Sequence, residues 1–226
     1  MKFVFFLVFC VSIVLGGCSA NLNTMLRSNI AEYREFVLYG RKENISANLM
    51  CGKRECDYKI NGYATDLIEF GVLTISVGDD LVEDKSGEFV LFVGTKKYEG
   101  TLEENPFDGT LVADIREIVD KNANVSVTIN FQDKSYSLKL KKVDEKWAVS
   151  SDDCLKILIA NYKKELKSFV NNGGFEGEVY VKIMNDEKDL VQDFYFLISV
   201  YGRTGKSINV IISPLNGEIL ASNTNI

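Results

Sequence analysis

Apolar and polar residues alternate with a period of two over much of the stretch from Glu35 to Leu140. Glu35-Phe36-Val37-Leu38-Tyr39 and Ile45-Ser46-Ala47-Asn48-Leu49-Met50 flank the turn-like segment Gly40–Asn44 and predict a hairpin. Val72–Val77 alternates and stops at Gly78-Asp79-Asp80. Glu88–Val93 ends at Gly94, and Lys97–Leu102 follows it. Val125–Phe131 pairs with Ser135–Leu140 across Gln132-Asp133-Lys134. Successive strand side chains point to opposite faces, so each segment has one apolar face to bury. Short strands divided by turn signals predict an antiparallel β-sandwich-like domain over residues 34–147. The spacing of Leu111, Ile115, Ile118 and Val119 fits a helix as well as a bent strand.

Near Trp147 the period changes. Ser151-Asp152-Asp153 supplies N-cap side chains and negative charge for a helix start. Leu155, Leu158, Ile159, Tyr162, Leu166 and Phe169 follow at three- and four-residue steps, predicting a helix over 152–170 that ends at Asn171-Asn172-Gly173-Gly174. Four strand segments come next: 177–183, 194–201, 207–212 and 217–221. The fold class expected is therefore mainly β with α+β: the sandwich-like domain, then a helix-plus-antiparallel-sheet domain over residues 148–226.

The N-terminus is organised differently. Met1-Lys2 precedes an apolar run from Phe3 to Val14, then Leu15-Gly16-Gly17-Cys18-Ser19. A positive start, a short apolar stretch and small residues make a secretory signal. The run is shorter than the roughly 20 apolar residues that span a bilayer. Leu-Gly-Gly-Cys resembles the lipobox of bacterial lipoproteins. The resemblance implies lipidation of the Cys18 thiol and cleavage before it. Residues 1–17 would be the signal peptide and 18–33 a tether. The mature chain would sit at the outer face of the cell membrane, lipid-anchored and extracytoplasmic. A plain cleaved signal, cut at Gly17, is the competing reading. Cys10 falls in the signal and is lost with it.

A second resemblance lies near the C-terminus. Tyr195-x-Leu197-x-Ser199-x-Tyr201-Gly202-Arg203-x-Gly205-Lys206, Ile208-x-Val210-x-Ile212 and Pro214-x-Asn216-Gly217-Glu218-Ile219-Leu220 resemble the end of PepSY-type domains. That family is extracytoplasmic, and some members are thought to bind or restrain peptidases. The likeness implies no catalytic residue.

Composition narrows the chemistry. There is no histidine, which removes Ser-His-Asp and Cys-His nucleophiles and the usual catalytic zinc sites. No cofactor motif or metal-ligand spacing is present. A net charge of −6 without a run of Lys and Arg argues against nucleic acid as a partner. Of the cysteines after Cys18, Cys51 and Cys56 are near enough in sequence to close a small disulfide loop, or all three, with Cys154, are free thiols. Gly202-Arg203-Thr204-Gly205-Lys206-Ser207 lacks the first glycine of a phosphate loop and reads as a hairpin turn. The acid pairs Asp79-Asp80, Glu83-Asp84, Glu103-Glu104 and Asp152-Asp153 read as solvated strand or helix ends. The function expected is a non-catalytic binding or interaction module, joined to the membrane by its lipid anchor and to a protein or peptide partner. A carboxylate-dependent hydrolase of envelope polymer and a structural envelope component are the alternatives.

Overall fold

The computed structural model describes residues 22–56, 60–78, 86–131, 134–186 and 193–226. They fall into two compact units, one of residues 34–54 and 68–146, the other of residues up to Tyr33 with 55–67 and 147–226. Among the described residues no helix is long and apolar enough to cross a membrane.

The first unit contains eight strands: β1 (Ile30–Lys42, from Arg34 on), β2 (Ile45–Glu55), β3 (Leu67–Val77), β4 (Gly87–Val93), β5 (Lys96–Glu104), β6 (Leu111–Ile115), β7 (Val125–Phe131) and β8 (Lys134–Lys142). Their lateral order is β1-β2-β3-β6-β5-β4-β7-β8, and β8 pairs again with β1. The result is a closed antiparallel barrel, and the expected open sandwich is corrected. The inward residues form one core, including Phe36, Leu38, Leu49, Ile75, Leu91, Leu111, Val127, Ile129 and Leu140. Period-two alternation is common to sandwiches and barrels, because each strand buries one face in both. Closure depends on the last pairing. Leu38 faces Lys142 and Tyr39 faces Lys141. Gly40 permits that approach, since a Cβ there would lie 2.4 Å from the carbonyl oxygen of Lys139. The ambiguous segment after Leu111 is strand β6, held between β3 and β5.

The second unit begins with a short helix α1 (residues 22–27), whose Leu22 and Leu26 are buried, and with the start of β1. Helices α2 (Ser151–Asn161) and α3 (Lys163–Lys167) follow, then a small hairpin of β9 (Val170–Asn171) and β10 (Gly174–Phe175). Strands β11 (Gly177–Asp186), β12 (Asp193–Gly202), β13 (Ser207–Ile212) and β14 (Ile219–Asn225) form an antiparallel series. At its inner edge β11 pairs in parallel with β1, Ile30 beside Val179 and Tyr33 beside Val181. The expectation of a separate helix-plus-antiparallel-sheet domain is thereby corrected too. These are outer strands added to a barrel protein, and their first neighbour is a parallel strand from the N-terminal segment.

One sheet face is apolar: Val179, Val181, Ile183, Phe196, Ile198, Val200, Ile208, Val210 and Ile212 are buried. Helix α2 packs on β11 and β12 with Cys154, Leu155 and Leu158, and the Trp147 ring lies edge-on 5.3 Å from Phe196. Ser150, not Ser151, caps α2. Its hydroxyl accepts from the Asp153 amide at 3.3 Å, while the Asp153 carboxylate accepts from the Ser150 amide at 3.1 Å. Lys156 and Ser150 hold the Asp153 carboxyl well below the usual carboxylate range. The expected single helix to residue 170 is broken at Tyr162, whose φ of −120° and ψ of 28° leave the helical region. Asn172 (φ 48°) and Gly173 (φ 79°) turn the β9–β10 hairpin instead of ending that helix.

Candidate functional site

The barrel carries a cleft of about 620 Å³ at the end where β8 finishes and β7 begins. Antiparallel pairing there sets Val125 against Leu140 and Ser126 against Lys139. The next residues of β8 meet β1 at only two positions. Leu38, Val125 and Leu140, all buried, give the cleft an apolar floor. The segment before β7 supplies one wall and is itself fixed. Asn122 donates its amide to the Asp120 carboxylate at 2.9 Å, Ala123 to the Asp120 carbonyl at 3.1 Å, and Gly94 to the Asn124 carbonyl at 2.9 Å.

Four lysines line this cleft, Lys121, Lys139, Lys141 and Lys142, against one acid, Glu145. Lys142 donates to the Asn122 side-chain oxygen at 2.6 Å. Among the described residues none of the four forms an ion pair. In a chain of net charge −6 this is a local reversal of sign. An anion bound there meets several uncommitted ammonium groups, each such exposed contact contributing about 0.2–1 kcal/mol. The apolar floor adds burial for a ligand with a hydrophobic part, at roughly 25 cal/mol per Å².

The sequence-predicted residues lie elsewhere. Cys18 is outside the described residues, as are Asp79-Asp80 and Glu83-Asp84. Cys51, Cys56 and Cys154 are free thiols. Strand β2 is extended from Cys51 to Glu55, and at about 3.3 Å per residue it carries Cys56 well beyond the ~7 Å Cα separation a disulfide tolerates. The structure does not bring this pair together. Burial pushes the Cys51 thiol up to about 11 and, with the nearby Asp153 carboxylate, the Cys154 thiol up to about 12. Both therefore stay protonated at pH 8. Native protein treated with iodoacetamide at that pH is expected to label quickly at exposed Cys56 alone, and at Cys51 and Cys154 only after unfolding. Equal labelling of all three in the native state would contradict this packing. Among the acid pairs, Glu103-Glu104 is exposed at the end of β5, Asp153 caps α2, and Asp152 binds Arg27 at 2.9 Å and the Tyr33 hydroxyl at 3.2 Å. Burial, then Asp152, pushes the Tyr33 phenol up to about 12.

Three buried carboxylates escaped the sequence reading: Glu32, Glu55 and Glu178. Glu178, fully buried, accepts from the amides of Asn61 at 3.0 Å and Tyr63 at 2.9 Å and from the Tyr180 hydroxyl at 2.8 Å. Glu55 accepts from the Thr65 amide. Together they fasten the loop 60–65, over which Arg203 stacks on the Tyr63 ring at 3.5 Å and donates to the Gly62 carbonyl at 3.2 Å. Glu32 is paired with Lys182 at 3.1 Å. Each carboxylate is engaged by its own unit. The period-two set Glu178-x-Tyr180-x-Lys182 was the available signal. It marks the polar face of β11, opposite the face packed on α2.

The turn Gly202–Lys206 is closed by the Gly202 amide on the Lys206 carbonyl at 2.9 Å, with Gly205 at φ 79°, and Lys206 is committed to the Ser168 carbonyl at 2.8 Å. It is a strand-to-strand turn, as its sequence context requires. Among the described residues no group of three or more Cys, Asp and Glu side chains is placed to hold a metal ion. The chain matches no protein-family model, no curated protein and no solved structure.

Proposed function

We propose that this chain is a lipid-anchored extracytoplasmic protein that works as a non-catalytic binding module. Its barrel cleft takes an acidic ligand with an apolar part. The four lysines without ion pairs around an apolar floor carry this reading. The engagement of Glu32, Glu55 and Glu178 in clamps and a pair supports binding over carboxylate-driven hydrolysis, because none is left to exchange protons with a substrate. The anchor half of the proposal rests on Cys18 and the residues before it.

Anilinonaphthalene sulfonate, a fluorescent aromatic anion, is a suitable probe. Saturable binding is expected, weakening with added salt as exposed charge contacts are screened. Lys139→Glu with Lys141→Glu should weaken it at least tenfold while leaving the melting temperature near that of the parent, since both side chains are exposed. Salt-independent binding unaffected by the double variant would remove the cleft from the proposal. For the anchor, mass spectrometry of the mature N-terminus should find an acylated Cys18. An unmodified cysteine or a cut elsewhere would remove the anchor.

A further inference from the structure

We propose that the occupant of the lysine cleft is the Phe107 turn of a second copy of this chain. The inference rests on the reading of the cleft given above and names its ligand.

The turn between β5 and β6 presents Phe107 with 95% of its surface exposed. Such a ring left in water is apolar surface that burial against a partner would stabilise. The turn is nevertheless fixed. Phe107 donates its amide to the Asn105 side chain at 3.2 Å, and Gly109 to the Asn105 carbonyl at 2.9 Å. Asp108 accepts from the Thr110 amide at 3.0 Å and hydroxyl at 2.7 Å. A partner would therefore meet a preorganised aromatic and lose little entropy in ordering it. Near it in sequence are the exposed acids Glu103, Glu104 and Asp108, and the segment from Thr101 to Thr110 contains no Lys or Arg.

An aromatic ring among carboxylates is the chemical complement of an apolar floor among ammonium groups. The barrel topology forbids the two from meeting within one copy. Val93 pairs with Val125, so the cleft lies at the end of the barrel where β4 finishes. Gly87 pairs with Leu102, so the Phe107 turn lies at the end where β4 starts. Strand β4 runs seven residues between those ends, about 20 Å at the usual rise. The turn also joins β5 to β6, half way round the eight-strand order from the β8–β1 seam. The complementarity is satisfied only between copies, each giving one turn and receiving another. That is a head-to-tail contact, which propagates along a row unless a ring closes it.

The test uses the full chain in membranes, with Phe107 replaced by the photo-crosslinker benzoylphenylalanine. Irradiation is expected to give a ladder of dimer, trimer and higher species on a denaturing gel, because every copy offers both halves of the contact. Peptide mapping should place the links in residues 121–126 or 139–142 of another copy. Adding Lys139→Glu and Lys141→Glu to the same chain should abolish the ladder. No crosslink between copies, or links to other proteins or to other segments, would overturn the inference. The sulfonate probe separates the two levels. If it binds the wild-type cleft and no ladder forms, only this inference falls. If it does not bind, the cleft reading falls as well.

Discussion

Leu158→Asp is expected to abolish the folded state of the unit built around α2. Leu158 is completely buried in the contact of that helix with β11 and β12. Replacing it removes a packed side chain, at about 2–5 kcal/mol for lost burial and cavity alone. It also places a carboxylate in the apolar contact between helix and sheet, a further penalty of several kcal/mol even after the group neutralises. The sum approaches the whole stability of an ordinary domain, about 5–15 kcal/mol. Circular dichroism and thermal melting should show lost helix signal and no cooperative transition for this unit. A melting temperature equal to that of the parent would mean that α2 does not pack on the sheet as described.

The second large effect is expected at Lys182. Its ammonium lies 3.1 Å from Glu32, whose side chain is only 4% exposed, and 5.1 Å from the Tyr180 ring centroid. Lys182→Met removes the ammonium paired with this buried carboxylate and should cost about 3–5 kcal/mol. Replacing both members, Glu32→Leu with Lys182→Met, should recover most of that loss, because an apolar pair of similar volume is often as stable as a buried ion pair. Urea titrations of the two variants decide it. A double variant no more stable than the single one would show that the pair is not coupled. Glu32 also explains why residues 148–226 do not make a complete unit. The partner of Lys182 and the loop that satisfies Glu178 come from earlier in the chain.

Much of the strand content was legible because period two needs only one buried face. Val125–Phe131 and Ser207–Ile212 are strands with the bounds the alternation predicted. The global arrangement was not legible from that pattern. A sandwich and a barrel demand the same alternation, and the residue that separates them, Gly40, reads locally as one more turn glycine. The parallel meeting of β1 with β11 joins segments some 150 residues apart, and nothing near Ile30 announces it. The lysine cleft was hidden for a different reason. Lys139, Lys141 and Lys142 look like the solvated end of a strand, and Lys121 is brought beside them by the β7–β8 register, which sets Val125 against Leu140. The buried acids were missed because a glutamate in a strand is read as outward-facing unless its amide donors, here from residues 61, 63 and 65, are known.

The brevity of the β8–β1 seam has a dynamic consequence. Two facing pairs and the Val143 amide on the Val37 carbonyl at 3.3 Å close the barrel, and two pairs join β5 to β6, whereas β7 and β8 share an unbroken ladder from Val125–Leu140 to Phe131–Lys134. A cylinder stapled so lightly along a line opens there before it opens along its long ladders, since local opening follows regions with few bonds to break. The Val37 carbonyl accepts from the Val143 amide across the seam, and hydrogen-bonded pairs alternate along an antiparallel ladder, so Tyr39 and not Leu38 aims its amide at β8. The Tyr39 amide proton should trade with solvent well before those of β4 and β7. The cleft borders the same line, so whatever fills it also acts as a clasp on the barrel, and its occupancy can be read in the hydrogen exchange of a single residue.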